Sequence, residues 1–170
     1  MIIVVLGVSA SGKSTLGVAL ATALQWPFFD GDDFHPPQNR ALMQSGVPLG
    51  DRERKPWLAA LARSIGDQER AGRSAVYACS ALKRAYRVAL MEHVEAAVMR
   101  FVFLSVPREV LLERLAERRG HFFPPALLDS QLRDLEPPDP MEPGTILSIE
   151  ATQPVEQSVA EIAAAFALRV

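Results

Sequence analysis

The residues with the clearest chemical meaning lie near the start of the chain. Gly7-Val8-Ser9-Ala10-Ser11-Gly12-Lys13-Ser14 satisfies the pattern G-x-x-x-x-G-K-[ST]. Glycines at both ends let the backbone curl until successive N–H groups face a phosphate, and a following helix would add its positive end. Lys13 is then placed to reach β- and γ-phosphates, and Ser14, with Thr15 next to it, offers a hydroxyl to a magnesium ion. The run Gly7 to Thr15 therefore reads as a nucleoside triphosphate cradle. A second group, Asp30-Gly31-Asp32-Asp33, supplies carboxylates of the kind that orient a metal shell or accept a hydroxyl proton. Asp30 is the candidate for the metal with Ser14, and Asp32 for the acceptor hydroxyl. Alone, these acids would equally suit a solvated turn or a helix cap.

Two absences narrow the class. There is no Asn-Lys-x-Asp for guanine, and the strand-like run Ala75 to Cys79 leads into Ser80-Ala81-Leu82-Lys83-Arg84 without a terminal carboxylate. Both count against a GTPase and a motor ATPase, and leave transfer to a bound acceptor as the expected chemistry. His35, Asn39, Asp51, Arg54, Lys55, Lys83, Arg84 and Arg87 surround the segments expected at the same edge. Arginine and lysine there would hold an acceptor carboxylate, while Asp, Asn and His would read hydroxyls. Taken singly, each is as readily an exposed helix charge, and His35 and Trp57 are as readily packing residues. Arg108, Arg114, Arg118 and Arg119 crowd one segment ahead of Gly120-His121-Phe122-Phe123-Pro124-Pro125. This pattern suggests a lid around 118–136 that brings arginines to developing charge and excludes water.

These groups need a scaffold that gathers them. Ile2 to Leu6 is a continuous apolar run suited to a strand buried on both faces. Leu16, Ala19, Leu20 and Ala23 recur at helical spacing, and Gln25-Trp26-Pro27 stops that helix before a short strand at 28–30. The spacing predicts a short helix over Arg40 to Gln44 and a longer one carrying Trp57, Leu58, Leu61 and Ile65 to about Gly72. Further strands are expected at Ala75 to Cys79, Phe101 to Val106 and Thr145 to Ile149. Helices are expected around Leu111, Leu112 and Leu115, and after Pro154 through Val155, Val159, Ile162 and Phe166. Alternating strands and helices imply a three-layer α/β/α domain with a mostly or wholly parallel sheet, spanning 1–170. The Pro-rich stretch Glu136 to Gly144 reads as a surface loop.

Composition agrees with one globular domain: 170 residues, 49% hydrophobic and 22% charged. Eighteen basic against 20 acidic residues give a net charge of −2, so no nucleic-acid or anionic-membrane footprint is visible. A single cysteine, Cys79, makes neither an internal disulfide nor a zinc cage. The apolar start ends at Gly7, short of a membrane span or a secretory signal, so a cytoplasmic chain is expected.

The motifs together resemble the P-loop gluconokinases. The resemblance rests on Gly7 to Ser14, Asp30-Gly31-Asp32-Asp33-Phe34-His35-Pro36, Asn39, Pro48-Leu49, Asp51, Arg54-Lys55-Pro56-Trp57-Leu58, Cys79-Ser80-Ala81-Leu82-Lys83-Arg84-x-Tyr86-Arg87 and Arg119-Gly120-His121-Phe122-Phe123. It spans nearly the whole chain, and the second and seventh of these motifs are the most specific. It implies a fold similar to shikimate and nucleoside monophosphate kinases, transfer of the γ-phosphate of ATP with Mg²⁺ to the 6-hydroxyl of D-gluconate, and a homodimer. It further implies Lys13 and Ser14 on phosphate and metal, and Asp32 near the reacting hydroxyl. Arg54, Lys83 and Arg87 fall to the gluconate carboxylate and hydroxyls, and His35, Asn39 and His121 to the sugar-acid pocket. Arg114, Arg118 or Arg119 would contact ATP as the lid closes. Two departures stand out: Gly50 replaces a polar residue before the aspartate, and Leu135-Glu136-Pro137-Pro138 lacks the second carboxylate of the usual Leu-Glu-Glu-Pro. A kinase for another hydroxy acid, such as shikimate, and a regulatory module using ATP as a conformational ligand are the competing expectations.

Overall fold

The computed structural model describes residues 1–117 and 125–170. Strand β1 (Ile2–Leu6) is buried along its whole length, as its aliphatic run requires. The chain then turns into α1 (Lys13–Leu24), reaches β2 (Phe28–Asp30), and passes through a 3-10 turn (Gly31–Phe34) to α2 (Pro37–Gln44) and α3 (Asp51–Arg70). After β3 (Ala75–Ala78) come α4 (Arg84–Ala89), β4 (Met99–Ser105), α5 (Arg108–Glu117), α6 (Pro125–Asp134), β5 (Thr145–Glu150) and α7 (Val155–Ala165). The five strands pair in the order β2-β3-β1-β4-β5, every pair parallel.

Strand alternation sorts the core into two layers. Ile2, Val4 and Leu6 join Tyr77, Phe101 and Phe103 on one face, where α3 contributes Trp57, Leu58, Leu61 and Ile65. Ile3 and Val5 join Val76, Val102 and Leu104 on the other, beneath Leu16 and Leu20 of α1 and Ile162 and Phe166 at the end of α7. The expected three-layer α/β/α architecture with a wholly parallel sheet is present.

Two helices have no counterpart in the sequence pattern. α4 spans only Arg84–Ala89, too short for an apolar period to show. α6 lies within the segment read as a lid; residues 118–124 of that segment are outside the described residues. Leu128 of α6 is fully buried against Val8 and Ala10 of the phosphate-cradle loop and against Leu82, Leu111 and Leu115. α2 starts at Pro37 rather than Arg40, because proline supplies the φ of a first helical turn and its missing N–H is not needed there. β1 lies between β3 and β4, so successive strands depart to either side of it and leave a crevice at its carboxyl end.

Candidate active site

The loop between β1 and α1 enters that crevice. Gly7 has φ +148°, and a Cβ there would lie 2.6 Å from Ser11 Oγ and 3.3 Å from the Leu104 carbonyl oxygen. Gly12, with φ +97°, turns the chain directly into α1, and Ala10 between them also adopts a positive φ of 63°. Residues with a Cβ rarely adopt the conformations of Gly7 and Gly12, so the glycine spacing follows from the curl. Lys13 Nζ donates to the Val8 carbonyl at 2.9 Å, which keeps the ammonium at the loop.

β2 delivers the carboxylates. Asp30 is registered with Ala78 of β3, which is registered with Val5 of β1. The strand end therefore arrives beside the loop. Ser14 Oγ donates to Asp30 Oδ2 at 2.7 Å, and Asp30 Oδ1 accepts from the Asp32 N–H at 3.0 Å, capping the 3-10 turn. The turn sits so close to β3 that a Cβ on Gly31 would meet the Ala78 carbonyl oxygen at 2.6 Å. A hydroxyl and a carboxylate joined by one hydrogen bond are hard oxygen donors. They suit a magnesium ion that takes one or two protein ligands and completes its shell with phosphate oxygens and water. The donor set fits the ion.

Behind the turn, Trp57 Nε1 donates to the Gly31 carbonyl at 2.7 Å, and the His35 ring stacks on Trp57 with centroids 4.4 Å apart. Asn39 Nδ2 donates to the Glu53 carbonyl at 2.7 Å and lies 3.3 Å from His35 Nδ1. Burial, with Arg54 and Arg40 nearby, lowers the His35 pKa to about 4, so its ring is neutral near pH 7. His35 and Asn39 therefore form a buried wall that fixes the acidic turn.

α3 and α4, with Lys83 just ahead of α4, also assemble a charged cluster. Lys83 Nζ donates to Asp51 Oδ1 at 2.7 Å, and Tyr86 Oη donates to the same oxygen. Arg54 and Lys83 each lie 5.5 Å from the centre of the Tyr86 ring. Arg54 is largely buried, its Nε donating to the Leu49 carbonyl and its guanidinium 3.9 Å from Asp134. The Lys83 and Tyr86 hydrogen bonds hold the Asp51 carboxyl below the usual carboxylate range, and Asp51 in turn raises Lys83. Tyr86 is raised too, by burial first and by Asp51 second. In the sequence Asp51 is one of the candidates for reading hydroxyls and Tyr86 only a motif member; the hydrogen bonds from Lys83 and Tyr86 to one Asp51 oxygen are a tertiary result.

Arg87 departs from the expectation of an acceptor ligand. It is 1% exposed, and Nε and Nη2 donate to the two carboxylate oxygens of Glu142 at 2.8 and 2.7 Å. Nη1 donates to the Ala81 and Leu82 carbonyls. All three nitrogens are engaged inside the protein, so the buried guanidinium serves the fold. The stretch from Glu136 to Gly144 is the expected surface loop, mostly exposed, with Glu142 as its buried member. Glu142 is buried, its carboxyl held low by Arg87, and Glu136 accepts from the Arg84 N–H while its own N–H donates to the Leu82 carbonyl. The loop is a strut under α4.

On the far side of the cradle loop, a cleft of ≈ 250 Å³ is lined by Ala10, Ser11, Gly12, Thr15, Arg114 and Gln153 among others. Arg114 spans it, donating to the Ser11 carbonyl at 3.2 Å and to the Ala151 carbonyl at 2.6 Å. Arg114 thereby ties α5 to the cradle loop and to the segment after β5. Arg108 is instead paired with Asp129 at the surface. Arg118, Arg119 and His121 lie outside the described residues. Cys79 is buried and its thiol is pushed up to about 12, which makes it chemically inert.

A P-loop at the switch point of a parallel sheet, with a hydroxyl–carboxylate pair suited to a metal, defines an ATP-dependent P-loop kinase. Residues 2–138 match the AAA domain family. The chain is 45% identical over 141 residues to the gluconokinase of Gluconobacter oxydans (strain 621H), covering 83% of this chain and 78% of that protein. It is 39% identical to the thermoresistant gluconokinase of Escherichia coli (strain K12), covering 94% and 89%. The crystal structure of a gluconokinase from Sinorhizobium meliloti 1021 superposes with a TM-score of 0.85 at 43% identity, covering 97% and 90%. The chain belongs to the gluconokinase family.

Proposed function

We propose that this chain transfers the γ-phosphoryl group of Mg-ATP to the 6-hydroxyl of D-gluconate, giving 6-phospho-D-gluconate and ADP. In that reaction the hydroxyl oxygen forms the new O–P bond, the bond to the β–γ bridging oxygen breaks, and the hydroxyl proton departs. The observation that supports the reading is the cluster of Arg54, Lys83 and Tyr86 gathered around the Asp51 carboxylate. Cations gathered on a carboxylate are the chemistry an aldonate carboxylate requires.

In this reading the loop from Gly7 to Thr15 holds the triphosphate and Lys13 follows the charge that develops on the transferred group. Asp32 orients the acceptor hydroxyl and takes up its proton. Ser14 and Asp30 would hold Mg²⁺, which neutralises charge on the phosphate oxygens. Arg118 and Arg119 are assigned to the transferring phosphoryl group, and His121 to the acceptor, on the resemblance alone. His35 and Asn39 shape the acceptor pocket from behind. A homodimer is what the resemblance supplies, and a cytoplasmic setting is the reading of the short apolar start and of the free, buried Cys79, which suits a reducing compartment.

The test is ADP release from Mg-ATP by the purified protein with D-gluconate, other aldonates, shikimate, nucleoside monophosphates and no acceptor. Release with D-gluconate accompanied by 6-phosphogluconate is expected. Release confined to shikimate or a nucleotide would overturn the acceptor, and tight nucleotide binding with no acceptor-dependent release would overturn the enzyme.

A further inference from the structure

One polar contact on the phosphate loop comes from far along the chain. Gln131 on α6 accepts from the Ser9 N–H through Oε1 at 2.6 Å, and its Nε2 donates to Ser9 Oγ at 2.9 Å. A backbone N–H can only donate, so the amide orientation is dictated: oxygen toward the backbone, nitrogen toward the hydroxyl. One helical turn earlier, Leu128 of α6 is fully buried against Val8 and Ala10. α6 thus grips the loop with an apolar and a polar contact at adjacent positions on one face.

The Ser9 N–H and the Val8 carbonyl belong to one peptide unit. That carbonyl is the one accepting from Lys13 Nζ at 2.9 Å. The peptide is trans, so its C=O and N–H point to opposite sides of the chain. Lys13 and Gln131 therefore hold the two ends of the same rigid plane. An acceptor on the N–H blocks rotation of the plane and polarises the carbonyl toward the ammonium. Without it, the plane is held at its carbonyl alone, where the Val8 oxygen accepts from Lys13 and, at 3.2 Å, from the Ser11 N–H, and its N–H end can tilt within a loop that already carries three positive-φ residues, Gly7, Ala10 and Gly12.

We propose that Gln131 is a positioning residue for phosphoryl transfer, acting through the Val8–Ser9 peptide to keep Lys13 at the mouth of the loop. The inference rests on the proposed reaction and concerns how its lysine is held. A lysine held in place before the reaction needs no reorganisation as charge moves, so its loss of position should appear in kcat more than in acceptor binding.

The experiment compares the unaltered protein with Gln131→Leu, Gln131→Glu, Lys13→Ala and the Lys13→Ala/Gln131→Leu double variant. Steady-state kinetics use Mg-ATP and D-gluconate, and amide hydrogen exchange at Ser9 is followed by NMR in the nucleotide-free protein. Gln131→Leu is expected to lower kcat about tenfold or more while changing the KM for D-gluconate by less than about twofold. Ser9 exchange should accelerate with it. Gln131→Glu keeps an acceptor for the Ser9 N–H and should restore both readouts most of the way. In the Lys13→Ala background, adding Gln131→Leu should cost nothing further. Unchanged kcat in Gln131→Leu, a loss confined to the KM for D-gluconate, or a full second loss on top of Lys13→Ala would each overturn the inference. Should Gln131→Leu fail to fold, Gln131→Asn, one methylene short of Ser9, gives the same reading. If the unaltered protein does not phosphorylate D-gluconate, the proposed reaction fails. Ser9 exchange, and binding of Mg²⁺ with a non-hydrolysable ATP analogue to Lys13→Ala and Gln131→Leu, then still decide whether Gln131 holds the loop.

Discussion

His35 shows how one buried side chain turns acidity into instability. Its ring is 7% exposed, stacked on Trp57 and placed with Nδ1 beside the Asn39 amide. An imidazole that accepts at Nδ1 carries its proton on Nε2, and protonating Nδ1 would set an N–H against an N–H. Its folded pKa, about 4, lies below the 6.5 of the free side chain, chiefly through burial. The unfolded chain therefore binds the extra proton first as pH falls. The contribution of this neutral ring to stability is complete above pH 6.5 and declines between 6.5 and about 4. Urea unfolding at pH 7 and pH 5 should show a larger stability loss in the unaltered protein than in His35→Gln. Equal losses would mean that another group sets the acid sensitivity.

At the scale of elements, α4 depends on the loop from Glu136 to Gly144. The Arg87–Glu142 pair is almost wholly enclosed and ties that loop to the Ala81 and Leu82 carbonyls just ahead of Lys83. Removing one partner of such a pair leaves a buried charge without compensation. Glu142→Ala should therefore destabilise the protein by about 3 kcal/mol. It should also raise the KM for the acceptor, because the segment carrying Lys83 and Tyr86 loses its support. Arg87→Met/Glu142→Leu, which removes both charges, should recover most of the stability. Chemical denaturation with KM measurements decides this, and a double variant no more stable than Glu142→Ala would contradict it. The Lys83–Asp51 pair is by contrast well exposed at Asp51, and its contribution is to place an ammonium group rather than to hold the fold.

At the scale of the molecule, the proposed nucleotide site is assembled from both halves of the chain. The loop after β1 is lined by Arg114 from α5, gripped by Gln131 from α6 and flanked by Gln153 ahead of α7. A ligand binding there holds these elements together and stabilises only the folded state. Thermal unfolding should show one cooperative transition across residues 1–170. Mg²⁺ with a non-hydrolysable ATP analogue at about one hundred times its Kd should raise the midpoint by about 5 to 10 °C. Two separate transitions, or no shift, would contradict a single nucleotide-centred domain.

The parts of this protein that depend on neighbours along the chain are legible in its sequence alone. The cradle pattern dictates backbone curl between residues a few positions apart, a buried strand shows as an unbroken apolar run, and Asp30 caps a turn two residues ahead. The three-layer sheet and the location of the acidic turn follow from those local facts. Cations cannot be sorted in that way. Arg54, Lys83 and Arg87 look alike as sequence, yet the first two gather at the Tyr86 ring while Arg87 is neutralised by Glu142, 55 positions away. Gln131 carries no chemical signal at all until the fold brings it 122 positions back to Ser9. Local backbone geometry is set by adjacent residues through sterics and hydrogen bonding, whereas the partner a long side chain reaches is settled only when the packed layers close around it.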